Sequence, residues 1–403
     1  MRNLLQVSDG QKVTKEDAMK RRFSIQRFLN NEGSSGVVLI SAAALGIVMA
    51  NSPLKDLYNN VLSAGFTIDT QFFYLALTTA KFINYILMSL FFFVVGMEIK
   101  REITTGHLSS VKRSIAPFAA ALGGMIVPAL IFLAIVDEQS RHGWAIPMAT
   151  DIALAVGVLA LLGDRVSLAM KTFLLALAVV DDLGAITIIA IFYSKSISLI
   201  WLIAGLMGVV AFYFLTRTQS RPRLLVALLV CLIWYSFYRS GVHATVSGVL
   251  MGLTLAQNDE LEERLHPWTS YAIIPIFAFA NAGVTISASA LGDAVTSSLG
   301  IAIMAGLILG KPLGIIAFST LATALKVAQM PSYKGRFALL GTSSAAGIGF
   351  TVAIFIAQLS FEDQGRQELA IIAVIIASLV SGLVSVALNR LSPRQDDVRE
   401  ELL

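Results

Sequence analysis

LAMKTFLLALAVVDDLGAITIIAIFY, residues 168–193, decides how the rest of the chain reads. A helix crossing the ~30 Å of bilayer hydrocarbon needs ~20 mostly apolar residues, and this run has that length and composition. Two adjacent acids, Asp181 and Asp182, sit in its middle. Placing an ionisable side chain at mid-membrane costs ~2.5–3.5 kcal/mol on insertion scales, so such residues mark function by default.

Working outward, eleven more apolar runs approach the same length. They cover roughly 34–51, 82–99, 114–136, 145–162, 198–216, 223–238, 241–256, 270–288, 297–320, 337–359 and 367–389. The whole chain of 403 residues is 56% hydrophobic and 14% charged. A soluble domain is ~45–50% apolar and ~25% charged, so this chain lacks the polar residues to cover a soluble globule. Disorder, collagen and a disulfide scaffold are excluded on the same grounds. The single cysteine, Cys231, lies in VALLVCLIWY and is expected to be a buried structural thiol. No His/Cys cluster at zinc spacing and no Gly-rich phosphate loop occurs, so no cofactor is implied.

The fold class expected is an all-α integral membrane protein with twelve transmembrane helices. Residues 1–33 form a charged N-terminal tail, 34–390 the membrane domain, and 391–403 a C-terminal tail. With the N-terminus inside, 23 of the 30 Lys and Arg fall on inner segments and six on outer ones. That asymmetry places both termini in the cytoplasm and makes the basic balance a membrane signature, with no nucleic acid partner implied. The longest outer connection, 52–78, has room for a small hairpin, a plausible dimer contact.

Two further charges lie inside apolar runs: Asp151 in IPMATDIALAVG and Lys311 in GLILGKPLGII. Three acids and one base leave negative charge in excess, which suits a bound cation, or protons. Residues i and i+1 project about 100° apart on a helix. One of Asp181 and Asp182 can therefore turn to a cation and the other to Lys311. A purely structural ion pair is the competing reading. The acidic spans also carry interruptions, Pro147 with Thr150–Asp151 in the fourth run and GTSSAAGIGFT (341–351) in the eleventh. Irregular backbone at membrane depth occurs where it lines a cavity, and matched interruptions in two halves point to a transporter site. Asp151 would offset positive helix N-termini and Lys311 negative C-termini. Close helix packing through small residues competes for the eleventh run.

At these residues the sequence resembles the NhaA-type sodium/proton antiporters of bacterial inner membranes. The matching stretches are FFFVVGMEIKRE (91–102), ATDIALAVGVLALLG (149–163), LALAVVDDLGAI (175–186), GVHATVSGVLMG (241–252), HPW (266–268), PIFAFANAG (275–283), GKPLGI (310–315) and GIGFTVAIFIA (347–357). They run in order through nearly the whole chain after the tail. The tail and the 52–78 connection depart from a fixed family pattern. The resemblance implies inverted repeats of helices 3–5 and 10–12, with broken, crossing helices 4 and 11; the repeat is a known property of this family. It implies Asp182 as the principal cation carboxylate and Asp181 as its neighbour paired with Lys311. Asp151 and Thr150 fall at the broken fourth helix, Asp151 with a secondary cation role. It further implies export of one Na+ or Li+ for two H+, a homodimer, and activation at alkaline pH for sodium and pH homeostasis.

The family's pH-responsive region matches QNDELEERLHPW (257–268) and Glu98. Glu262, Glu263 and His266 are its candidates, although Glu263 stands where some members carry histidine. The alternative is a solvated helical turn with no sensing role. His243 is read as a packing histidine that modulates the pH response, and Asn281 as a polar helix–helix contact. A carrier of a small organic substrate, coupled to protons or sodium, is the main rival function, but no intramembrane arginine suits an organic acid. An intramembrane aspartyl protease would need a GxGD pattern, absent here, and leaves the core lysine unexplained. A channel is the third alternative, and proton coupling distinguishes it.

Overall fold

The computed structural model describes residues 15–70, 74–194, 196–218, 222–331, 333 and 335–393. Of the two expected tails, residues 1–14 and 394–403 lie outside the described residues. Apolar sequence becomes helix because backbone removed from water must satisfy its own N–H and C=O groups. Helix α1 (Lys15–Ala50) joins the remainder of the N-terminal tail to the first apolar run, Gly33–Ala50, as one rod. The 52–78 connection holds α2 (Lys55–Ser63) and a hairpin, as its length suggested. Strands β1 (Gly65–Asp69) and β2 (Tyr74–Thr78) pair antiparallel, Gly65 opposite Thr78. Among the described residues this hairpin is the departure from an all-α fold.

Helix α3 (Thr79–Thr104) contains a π-helical stretch, Phe82–Leu87. Helix α4 (Val111–Ile135) continues through Pro117 and Pro128. The next run is interrupted, as its Pro147 and Thr150–Asp151 foretell. A 3₁₀ turn, Ile146–Met148, gives way to extended backbone, and helix resumes as α5 (Ile152–Leu161), with a bend of 49° across the break. Then follow α6 (Leu168–Phe192), α7 (Leu199–Leu215), α8 (Arg223–Ser240), α9 (Thr245–Thr254) and α10 (Asp259–Trp268). A second π-helical stretch, Thr269–Ile273, leads into α11 (Ile274–Asn281). Helix α12 (Ala288–Thr296) precedes α13 (Ser298–Ala324), whose π-helical turn Gly306–Gly310 ends at Lys311. The second interrupted run comprises α14 (Arg336–Ala345) and α15 (Phe350–Ser360), bent by 48°. Helix α16 (Gln364–Leu391) closes the bundle.

Among the described residues, seven helices are long and apolar enough to cross a membrane, or nine if each bent pair is one span. Helices α7 and α9 are shorter apolar helices. Helices α4 and α13 touch backbone to backbone at Gly123 and Gly314, where a Cβ on either would strike the other's carbonyl. Glycine at both positions is what permits this approach, and it seats Lys311, three residues before Gly314, in the centre of the bundle. Gly241 closes α8 in a left-handed conformation (φ 84°), turning the chain directly into α9.

The expectation for Cys231 is corrected: its side chain is exposed on α8. Leu224, Leu225, Leu228 and Leu232 on the same helix are exposed too. In a membrane chain, apolar context does not separate core from lipid-facing surface, because lipid is as apolar as the core.

Candidate functional site

The site is built where the two interrupted runs meet. Asp151 caps α5: its Oδ1 accepts from the Leu154 N–H at 3.0 Å. Its Oδ2 accepts from the Thr351 N–H at 3.0 Å and the Thr351 hydroxyl at 2.6 Å, in the first turn of α15. One carboxylate thus serves the positive N-terminal ends of two helices, where negative charge is favoured. The crossing is stitched further by the Asp151 N–H to Ile348 O at 2.7 Å and the Thr150 hydroxyl to Ala346 O at 2.9 Å. From α16, the Ser378 hydroxyl oxygen accepts from the Phe350 N–H at 3.2 Å.

Lys311 is fully buried and donates in two directions. It bonds the carbonyl of Met148, at the end of the 3₁₀ turn before the break, and Asp181 Oδ2 at 2.5 Å. The ammonium therefore meets a helix-end carbonyl and one of the two adjacent acids. The second acid is different. Asp182 is 3% exposed, and its Oδ1 has no hydrogen-bond partner among the described residues. Asp181 Oδ1 likewise has no partner among the described residues, so what sets the acids apart is the lysine that Asp181 holds. A buried carboxylate without such a counter-charge demands a proton or a cation.

Asp182 opens onto a cavity of about 50 Å³, room for a few water molecules or a small ion. Thr150, Asp151 and Thr351 line the same cavity, as do Glu98 from α3 and His266, Thr269 and Ser270 from the α10–α11 approach. Among the described residues no three His, Cys, Asp or Glu side chains are grouped as a resident metal site. The oxygen groups lining the cavity with Asp182 are instead hydroxyls and two further carboxylates, Asp151 and Glu98, a hard donor set suited to a hard cation.

Of the residues expected to respond to pH, Glu98 and His266 face this cavity. Glu262 is buried beside it on α10 and ion-pairs with Arg101 on α3. Burial pushes the Glu262 carboxyl above the usual glutamate range, while Arg101 draws it back. Glu263 points outward and is exposed. His243 lies apart from α10, its Nδ1 2.8 Å from the Thr245 hydroxyl. Its ring packs between Tyr85 (4.9 Å between centroids) and Phe355 (5.1 Å). Thr351 is the site residue that sequence reading passed over. Its signal was position, a hydroxyl residue two places after Gly349 at the break.

The profile of the family Na+/H+ antiporter 1 matches residues 26–388. The chain is 40% identical to the Na+/H+ antiporter NhaA 1 of Clostridium beijerinckii over 385 residues, covering 93% of this chain and 96% of that one. It is 40% identical to the NhaA of Serratia proteamaculans over 380 residues (91% and 98%). The NhaA of Salmonella arizonae is 42% identical over 373 residues (89% and 96%). With its apolar helices, interrupted pairs and buried charges, this multi-pass membrane chain belongs to the Na+/H+ antiporter 1 family.

Proposed function

We propose that the protein is a secondary transporter exporting one Na+ or Li+ in exchange for two H+, activated at alkaline pH. The observation that carries this reading is the asymmetry of the two adjacent acids. Asp181 is held by Lys311, while Asp182 faces a small cavity with no lysine partner and an Oδ1 without a donor among the described residues. In that cavity a cation and a proton compete for one carboxylate, and competition alone produces exchange. Asp182 is the principal cation ligand, with Thr150 and Asp151 beside it. Asp181 and Lys311 form a coupled pair that shares the second proton, so protons belong to the group of residues as a whole.

A two-for-one exchange moves one net positive charge inward per cycle. It gains about 2.3 kcal/mol per 100 mV of inside-negative potential. That drive expels sodium even when the medium is alkaline. Glu98, Glu262, Glu263, His266 and His243 are assigned to the pH response. We place the chain in a bacterial inner membrane as a homodimer with both termini cytoplasmic. Its architecture is read as twelve spans, α7, α9 and the 270–288 run included, with inverted repeats of helices 3–5 and 10–12. An organic substrate fits the site poorly, since such pockets typically occupy ~300–1,000 Å³.

The test is sodium-induced proton efflux from energised inside-out vesicles at several pH values, wild type beside Asp182→Asn. Wild type is expected to collapse the pH gradient on adding Na+ or Li+, more strongly at alkaline pH, and the variant to show no response. No sodium response from folded wild type rejects the antiport reading. A full response in the variant moves the cation site elsewhere.

A further inference from the structure

Three helices leave the cavity side by side, and each carries an amide side chain about two turns beyond it. On α15 the succession is Val352 at the cavity, Phe355, then Gln358. On α11 it is Ile274 at the cavity, Phe277, then Asn281. Helix α3 runs the other way, from Phe91 at the cavity back to Asn84. At 1.5 Å per residue the amides stand ~10 Å beyond the cavity on all three helices. Between cavity and amides, Phe355 on α15 and Phe277 on α11 form an aromatic layer, and Phe92 of α3 packs against it. Phe355 is centred 5.9 Å from Phe92, 6.1 Å from Phe277 and 5.1 Å from His243.

Beyond that layer the three amides close on one another. Asn281 Oδ1 accepts from Asn84 Nδ2 at 3.2 Å and from Gln358 Nε2 at 2.5 Å. Asn84 Nδ2 also donates to Gln358 Oε1 at 3.0 Å, and Asn281 Nδ2 returns to Asn84 Oδ1 at 2.9 Å. Asn84 and Gln358 are half-buried and Asn281 is buried. Asn84 sits on the π-helical stretch of α3. Such stretches are rare and recur at functional sites. Gln358 sits on α15, the helix whose first turn is tied to Asp151.

We propose that Asn84, Asn281 and Gln358 are the lock on the second access route to Asp182, and that the lock parts once per transport cycle. The present cavity faces the end of the bundle that carries Glu98 and His266. The amide triad closes the opposite end. Neutral amides suit this task. Their hydrogen bonds seal the route when closed, and their oxygens and N–H groups are re-satisfied by water or by a partly hydrated monovalent cation when open. A charged lock would bind the ion itself, and an apolar one would give it no oxygen to pass.

This inference rests on the exchange reading, and the test separates the two. In a Cys231→Ser background, Asn84→Cys and Gln358→Cys are joined by a short bis(methanethiosulfonate), each thiol forming a reducible mixed disulfide and releasing methanesulfinate. Sodium-induced proton efflux is then measured in inside-out vesicles before linking, after linking and after reduction. Linking is expected to lower the rate about tenfold or more, and reduction to restore it, as for a gating motion that every cycle needs. Protein shown by mass to be linked, yet exchanging at the unlinked rate, overturns the lock. A second readout does not need transport: single Gln358→Cys labelled with a membrane-impermeant maleimide, with and without Na+. A labelling rate that Na+ changes several-fold is expected when Na+ shifts the populations of two states. Labelling indifferent to Na+ and to pH makes the triad a static contact. Failure of the exchange reading shows separately, as wild type with no sodium-induced proton movement.

Discussion

The crossing of the interrupted helices and the acidic pair on α6 lie around one cavity, yet they treat a buried carboxylate in opposite ways. At the crossing, both oxygens of Asp151 accept hydrogen bonds, from Leu154 and from Thr351. On α6, Asp181 Oδ2 is held by Lys311 while Asp182 Oδ1 has no donor among the described residues. A satisfied carboxylate is part of the frame. One without a full set of donors or a counter-charge needs a proton or a cation, and the rest of the fold must offset its cost. The comparison teaches that depth alone does not set the state of a buried acid; the donors and counter-charge supplied to it do.

Substitutions can break this comparison, and the largest effect on stability is expected at Lys311. Lys311→Ala leaves Asp181 buried without its partner, and removing one member of a buried pair costs about 3–5 kcal/mol. The thermal unfolding midpoint in detergent is expected to fall sharply. An unchanged midpoint would mean that Asp181 is neutral in the resting protein and that the pair contributes little.

Asp151→Ala comes next. It strips the cap from α5 and leaves the Thr351 hydroxyl and N–H without an acceptor, together roughly 2–4 kcal/mol. Asp182→Asn is expected to do the reverse. Relieving an uncompensated carboxylate leaves the unfolding midpoint unchanged or raises it by an equivalent of about 1 kcal/mol, although transport is lost. If Asp182→Asn destabilised as much as Asp151→Ala, the two acids would share one role and the contrast would fail.

The smallest expected effect is at Glu262, on the rim. Its folded-state value lies above the ordinary glutamate range because of burial. The stability it contributes is therefore complete below that range and declines as pH rises through the raised value. Ionisation of Glu262 thus loosens the low-pH arrangement. Glu262→Gln stays neutral throughout, so the variant is expected to keep that arrangement longer. The alkaline threshold of antiport should move up by about half a pH unit to one unit. A threshold unmoved, or moved toward acid, would remove Glu262 from the pH response.

The sequence by itself determined the membrane class and the four buried charges, Asp151, Asp181, Asp182 and Lys311. It also located the two breaks, at Pro147 with Thr150–Asp151 and within 341–351. These are legible because they are local: apolar length, a charge within it, and residues that weaken helix are all read along a few consecutive positions. The tertiary structure decided the rest. It set which of two neighbouring acids meets Lys311, since a turn of 100° about α6 separates them and no apolar pattern fixes its azimuth. It joined Asp151 to Thr351 across 200 positions and Asn84 to Gln358 across 274. It also turned Cys231 outward, because lipid and core are equally apolar and a run of Leu and Val is compatible with either.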